Sequence, residues 1–480
     1  MRQTGNRPKR SWLRRGLKFL GLTIAALLIL VVTPAYFILQ PTFKSYPSTD
    51  LPAVTTQADK NRQDIAHLRH LPEVERGFSD KSRTAFILAV DEIERRAADL
   101  DKAGLAMAVA KAVALVDNGH TNVGSLAGDY GYNAVPIRLG WFQDGLFVVA
   151  ASEEQRRLLG AQVLGVDGRA TAALVEALRP YIGGPANLAR EFVPNLLISP
   201  ELLHAAGLAK SANGGAYEFR LADGNSVSVD LAAAPATQAA LRGFYWPKRD
   251  LSPAALPARP SGWKHVLDGA ALPAYLSQPN ANYWHAYPQD GLLYVQINRV
   301  SDQSPVGLEK YLSDMLGEAA KKSLRNAIVD LRFNGGGNYV LTADFAERLP
   351  KLLPPDGKLF ILTGANTFSA AISTAARLKH FAGSRTVILG EPVGDRGQFW
   401  GEGNSTFLPN SKTPIRYTTA YHDWERGCGL SDLTTCFFLN YVYDVPAGSL
   451  TPAKTITPSF ADYVAGKDAV MVEVLRALGN

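Results

Sequence analysis

From about residue 283 onward, short apolar runs alternate with amphipathic stretches. This alternation limits the possible folds more than any other feature of the chain. GLLYVQINRV (Gly291–Val300) reads as a strand and VGLEKYLSDMLGEAAKK (Val306–Lys322) as a helix. NAIVDLRF (Asn326–Phe333) is the next strand and YVLTADFAERLPKLL (Tyr339–Leu353) the next helix. KLFILT (Lys358–Thr363), a helix after Ser369 and the strand RTVILGEP (Arg385–Pro392) complete the series. Apolar strands separated by helices predict a mostly parallel sheet covered by helices, an α/β core over residues 281–480. Such sheets place their working loops at the carboxyl ends of the strands. The loops FNGGGN (Phe333–Asn338) and GANTFS (Gly364–Ser369) leave successive strands, so they should share one rim.

A chain of 480 residues exceeds one core. Residues 41–127 read as a helical segment, from SRTAFILAVDEIERRAADL and KAGLAMAVAKAVALVD, ending in the turn DNGHTNVG. Residues 128–240 switch to short strands (VPIRLGWF, GLFVVAA, AQVLGVDG), a helix (TAALVEALRPYI) and a hairpin turning at Asp223-Gly224, which together describe a small β-rich domain. Residues 241–280 contain DLSPAALPARPSGW and read as a linker.

The net charge of +6 is concentrated at the start. Residues 1–18 hold seven Lys/Arg and no acid, and the remainder holds 43 basic against 44 acidic residues. That balance argues against a nucleic-acid surface. Residues 19–40 carry no charge, and 22 helical residues span roughly 33 Å, enough for a bilayer core. The expectation is a cytoplasmic basic flank (1–18), an uncleaved transmembrane anchor (19–40) and a periplasm-like, extracytoplasmic location for the rest. A cleaved signal peptide would have a shorter apolar core and a small-residue cleavage site. Cys428 and Cys436 are the two cysteines. Outside the cytoplasm they can pair, and the other reading is two unrelated thiols. Two Cys without His partners do not make a structural zinc site.

Ser369 stands between a buried strand and a helix. It reads either as an N-cap or as a nucleophile beside free amide donors. The run Gly335–Val340 lacks the third glycine of a dinucleotide fingerprint, and no acid closes the following strand. A nucleophile needs a proton acceptor. His380 and Lys379 lie on the helix of Ser369, His380 roughly 16 Å along its axis, so neither can serve. His67 and His70 are spaced as helical metal ligands can be, but lack further partners. His204, His265 and His285 carry no signal. His120 sits in the turn DNGHT beside Asp117, Asn118 and Thr121, and reads either as a base or as a turn histidine bonded to backbone.

Several segments, in the right order, resemble the S41 serine peptidases: DNGHT (Asp117–Thr121), VDLRFNGGG (Val329–Gly337), TGANTFSAA (Thr363–Ala371) and Gly390-Glu391. LGAQVLGVDGR (Leu159–Arg169) is similar to the family's PDZ-like domain, and TPSFADYVAGKDAVMVEVL (Thr457–Leu475) to its C-terminal segment, with Ser459 where Asp is usual. The resemblance covers roughly residues 80–470. It implies a ClpP/crotonase-like core and peptide-bond hydrolysis through an acyl-enzyme. Ser369 would be the nucleophile, and Gly335, Gly336 and Ala370 would supply the oxyanion hole. The C-terminal-processing branch pairs its serine with a lysine shortly after the G-E; here GEPVGDRGQF offers Asp395 and Arg396. Arginine stays protonated and takes no proton. The tricorn-core branch uses a histidine ahead of the PDZ-like domain, which matches His120. A serine precedes it there, and Gly119 precedes it here. That branch also uses a late glutamate, for which Glu391, Asp423 and Glu425 are the candidate orienting acids.

The expected function is that of a membrane-anchored serine endopeptidase acting on polypeptides, with no cofactor and no metal. Two alternatives stand beside it. One is an inactive peptide- or ligand-binding protein on the same scaffold. The other is crotonase-type acyl-CoA chemistry, against which a location away from CoA argues.

Overall fold

The computed structural model describes residues 18–20, 23, 27–48, 51–124, 132–235, 250–255 and 261–479. Its central sheet has six strands, in the order Lys454–Thr455, Thr386–Gly390, Leu359–Thr363, Asn326–Asp330, Leu292–Ile297 and Tyr283–Gln289. All neighbours run parallel except the last pair. Val295 faces Val329, which faces Ile361, which faces Ile388.

The strands read as continuous apolar runs because each feeds two cores with alternate residues. Leu293, Val295, Val329 and Ile361 pack with Leu312, Phe345 and Ile372 of the covering helices. Tyr294, Ile328, Phe360 and Leu362 pack on the other face with Val470 and Val474 of the helix Ala469–Ala477. The α/β class expected from the alternation is the one found.

One element differs. The predicted helix over Tyr339–Leu353 is α-helical only at Ala343–Arg348, between 3-10 turns at Tyr339–Thr342 and Leu349–Leu352. The Asn338 side chain accepts the Val340 N–H and starts the first turn. Pro350, without an N–H, cannot continue an α ladder into the second.

Upstream, Ile137–Phe142, Gly145–Ala151, Gln162–Val166, Gly214–Arg220 and Ser226–Ala232 form an antiparallel sheet with its own core. Lys264–His265 pairs with Ala150–Ala151, so part of the predicted linker joins this sheet. A two-residue strand leaves no period to read. The helices Gln57–Leu68, Asp80–Arg95 and Lys102–Val113 share a core with Leu408, Ile415 and Tyr417, which lie on or beside the hairpin Asn404–Phe407/Pro414–Tyr417.

Among the described residues no helix is long and apolar enough to cross a membrane. The expected anchor is described in part, as a helix over Leu28–Leu39 that is π-type over Leu28–Val32. Its residues 21, 22 and 24–26, and the basic flank 1–17, lie outside the described residues.

Cys428 and Cys436 are disulfide-bonded across eight positions. Replacing both by Ser should lower stability by about 2–3 kcal/mol, the unfolded-state entropy of so short a loop. A thermal midpoint unmoved by the double replacement would contradict this.

Candidate active site

The rim formed by the carboxyl ends of the parallel strands gathers the loops singled out above. Ser369 starts the helix Ala370–Ala382, yet its side chain makes no capping hydrogen bond. Its backbone sits at φ 55° and ψ −123°, a region that costs a side-chain-bearing residue about 1–3 kcal/mol. The surrounding loop enforces that conformation. Thr367 Oγ1 donates to Leu331 O at 2.9 Å and accepts the Gly364 N–H at 2.9 Å. The Phe368 amide donates to Asn334 O at 3.0 Å. The serine loop is thus tied to the exit of the neighbouring strand.

The glycine loop closes over the serine. A Cβ at Gly336 would lie 2.7 Å from Ser369 Cβ and 3.2 Å from its Oγ. One at Gly337 would lie 2.0 Å from Val300 O, and both glycines have positive φ. Only glycine allows this approach. The three predicted oxyanion donors are not equivalent. The Gly336 amide already donates to Asn334 Oδ1 at 2.9 Å. Ala370 is the first residue of its helix, so its amide has no carbonyl one turn behind it. The Gly335 amide belongs to the same turn as Gly336.

His120 arrives from the distant DNGHT turn and is 4% exposed. Its ring lies between two phenylalanines, 4.2 Å from Phe368 and 4.9 Å from Phe399 by centroid. Phe368 is the residue before Ser369, so the imidazole packs on the chain neighbour of the serine. The histidine meets Asp395, with Nδ1 3.3 Å from Oδ2. That contact lacks hydrogen-bond alignment, and neither ring nitrogen completes a hydrogen bond. Burial pushes the His120 imidazole below the usual histidine range, and Asp395 opposes that shift.

Asp395 lies in the third rim loop, after the strand Thr386–Gly390. The acids proposed from sequence are placed elsewhere. Glu391 accepts from Thr457 at 3.1 Å. Asp423 is bonded by Arg426 and Gln398. Glu425 is exposed, against Gly397. The acid that touches His120 is therefore Asp395, not one of the three candidate orienting acids. Gly119 makes room for it: a Cβ there would lie 3.0 Å from Asp395 Oδ2, 2.9 Å from Phe368 and 2.7 Å from Leu188. A serine at position 119 would need those atoms to move.

The histidine loop is gripped at its start by Arg396, which donates to Asp117 O at 2.9 Å and Oδ2 at 2.7 Å. Asn187, from the small domain, donates to Pro392 O and Val393 O beside Asp395. Of the other histidines, His67 Nε2 meets Thr406 Oγ1, His70 Nδ1 meets Glu73 and His204 Nδ1 meets Ala209 O, while the buried His422 stacks on the other neighbour of the site, Phe399, with Nε2 3.3 Å from Glu402.

No family model matches the sequence, and no curated protein does. Solved structures do match. One is mature CPAF complexed with lactacystin, at 12% identity, covering 88% of this chain and 98% of that one, with TM-score 0.56. A second is a CPAF serine-to-alanine mutant, at 12% identity over 88% and 97%, with TM-score 0.57. A looser likeness, to the photosystem II D1 C-terminal processing protease, has 13% identity over 87% and 99%, with TM-score 0.34. At this identity the likeness is one of fold: this chain carries the fold of the CPAF structures.

Proposed function

We propose that this chain is a serine peptidase that cleaves polypeptides through an acyl-enzyme on Ser369. One observation carries the reading. A serine held in a glycine-like backbone conformation, without a capping bond, opens a helix, and its neighbour Phe368 stacks on a histidine that meets a buried carboxylate. In this scheme Ser369 Oγ attacks the scissile carbonyl carbon and His120 takes its proton. The amides of Ala370 and Gly335 receive the oxyanion, the Gly336 amide being held by Asn334. His120 then gives the proton to the leaving amine, and water releases the acyl group by the reverse exchange. Asp395 orients the imidazole and supports its charged form. Catalytic hydrogen bonds commonly tighten only when substrate is bound, which fits the unaligned state of His120.

The same reading makes residues 19–40 a membrane anchor and places the peptidase outside the cytoplasm. A charge-free segment behind a basic flank supports this. The disulfide fits an oxidising compartment. The small β-rich domain would hold a polypeptide end as an added strand.

A fluorophosphonate probe on the purified full chain tests the chemistry. Covalent label on the peptide carrying Ser369, together with cleavage of a peptide library, is the expected outcome. Absence of both would leave an inactive binding protein on this scaffold, a reading that the unaligned His120 would then favour.

A pH profile gives a second check. Since burial lowers the His120 pKa, the base stays neutral down to a pH below the ordinary histidine value of about 6.5. Activity should be lost only as pH falls through that depressed value. Asp395→Asn removes the opposing influence and should move the acid limb of kcat/KM lower still. An acid limb above the ordinary value would contradict this assignment.

A further inference from the structure

Glu75 is a buried carboxylate that the proposed chemistry does not use. It is 1% exposed and follows the short helix Leu71–Val74 of the N-terminal segment. Oε1 accepts from Gly77 N at 2.6 Å and Thr418 Oγ1 at 2.7 Å. Oε2 accepts from Thr121 Oγ1 at 2.7 Å and Thr418 N at 2.8 Å. Asn118 Nδ2 closes the cluster, donating to Thr121 Oγ1 at 3.0 Å and Thr418 Oγ1 at 3.3 Å. Thr121 and Thr418 are fully buried, and Asn118 nearly so.

A carboxylate taken out of water is costly, and burial pushes the Glu75 pKa up against the influence of its donors. An apolar group in its place would leave four buried donors unpaired. What the carboxylate provides is a fixed junction. Thr418 lies between the strands Pro414–Tyr417 and Ala420–Asp423 of the core, and Thr121 is the residue after His120. The histidine loop is therefore held at one end by Arg396 on Asp117 and at the other by Glu75 on Thr121.

We propose that Glu75 is a positioning residue for His120, acting through the Thr121 hydroxyl. This rests on the reading of His120 as the base. It adds that the N-terminal segment, outside the sheet, sets where the imidazole stands. A misplacement of about 1 Å can cost 10²-fold in rate.

The test uses the full chain with Glu75→Gln, Thr121→Val and Thr121→Ser, reading kcat, KM, the rate of fluorophosphonate labelling and the thermal midpoint. Glu75→Gln leaves an amide N–H facing two donors, and Thr121→Val removes the donor while keeping the shape. Both are expected to lower kcat and labelling by about ten- to a hundredfold with KM little changed. Thr121→Ser, which keeps the hydroxyl, should restore most of the loss. Folded Glu75→Gln and Thr121→Val chains with full kcat would overturn the proposal. So would a serine variant as impaired as the valine one, or a Thr121→Val chain that does not fold, since the contact would then carry the fold and not the histidine. Failure of the base reading itself looks different: His120→Ala would keep its activity.

Discussion

Ser369→Ala is expected to abolish peptide cleavage and fluorophosphonate labelling without lowering the thermal midpoint. Losing the nucleophile of such a unit costs roughly 10⁶ in kcat. The stability half of this expectation follows from the backbone. A serine that caps a helix contributes about 1 kcal/mol, which alanine forfeits. Ser369 makes no such bond, and its φ of 55° is unfavourable for alanine and serine alike. A capping residue would give the opposite pair of results, a lower midpoint with activity retained. One variant measured both ways separates a nucleophile from a cap.

His120→Phe is expected to be equally silent, with a loss of roughly 10⁴–10⁶ in kcat. Phenylalanine is the informative replacement because the ring lies between Phe368 and Phe399. His120→Ala should also end turnover, but it removes a buried ring and leaves a cavity, at a cost of about 3 kcal/mol or more. A phenyl group keeps both stacks and deletes two ring nitrogens that have no aligned partner. The folded state should therefore persist while proton transfer is lost. Peptide hydrolysis at the parent rate by a folded His120→Phe chain would mean that another group takes the serine proton.

The sheet was legible because its strands are buried on both faces. Leu292 through Ile297 supply alternate residues to two cores, and the run shows no polar gap larger than Gln296. The glycine and serine loops could be placed together by chain direction alone, since parallel strands share a carboxyl rim. The same rule covered the loop after Thr386–Gly390, where Asp395 stands. Nothing in GEPVGDRGQF marks Asp395 as the partner of an imidazole that lies 275 positions earlier in the chain. The conformation of Ser369 was not legible, because a hydroxyl before a helix carries the same letters whether it caps or strains. Glu75 was hidden for a related reason. A lone acid in a helical segment looks solvated, and its four donors come from three separate places in the chain.

The order in which the chain leaves the ribosome gives the split origin of the site a practical meaning. The imidazole is synthesised early, with the helices Gln57–Leu68 and Lys102–Val113. The alcohol comes much later, and the edge strand Lys454–Thr455 later still. A nascent polypeptide therefore cannot bring the two groups together until the strand Leu359–Thr363 and the helix Ala370–Ala382 have been made.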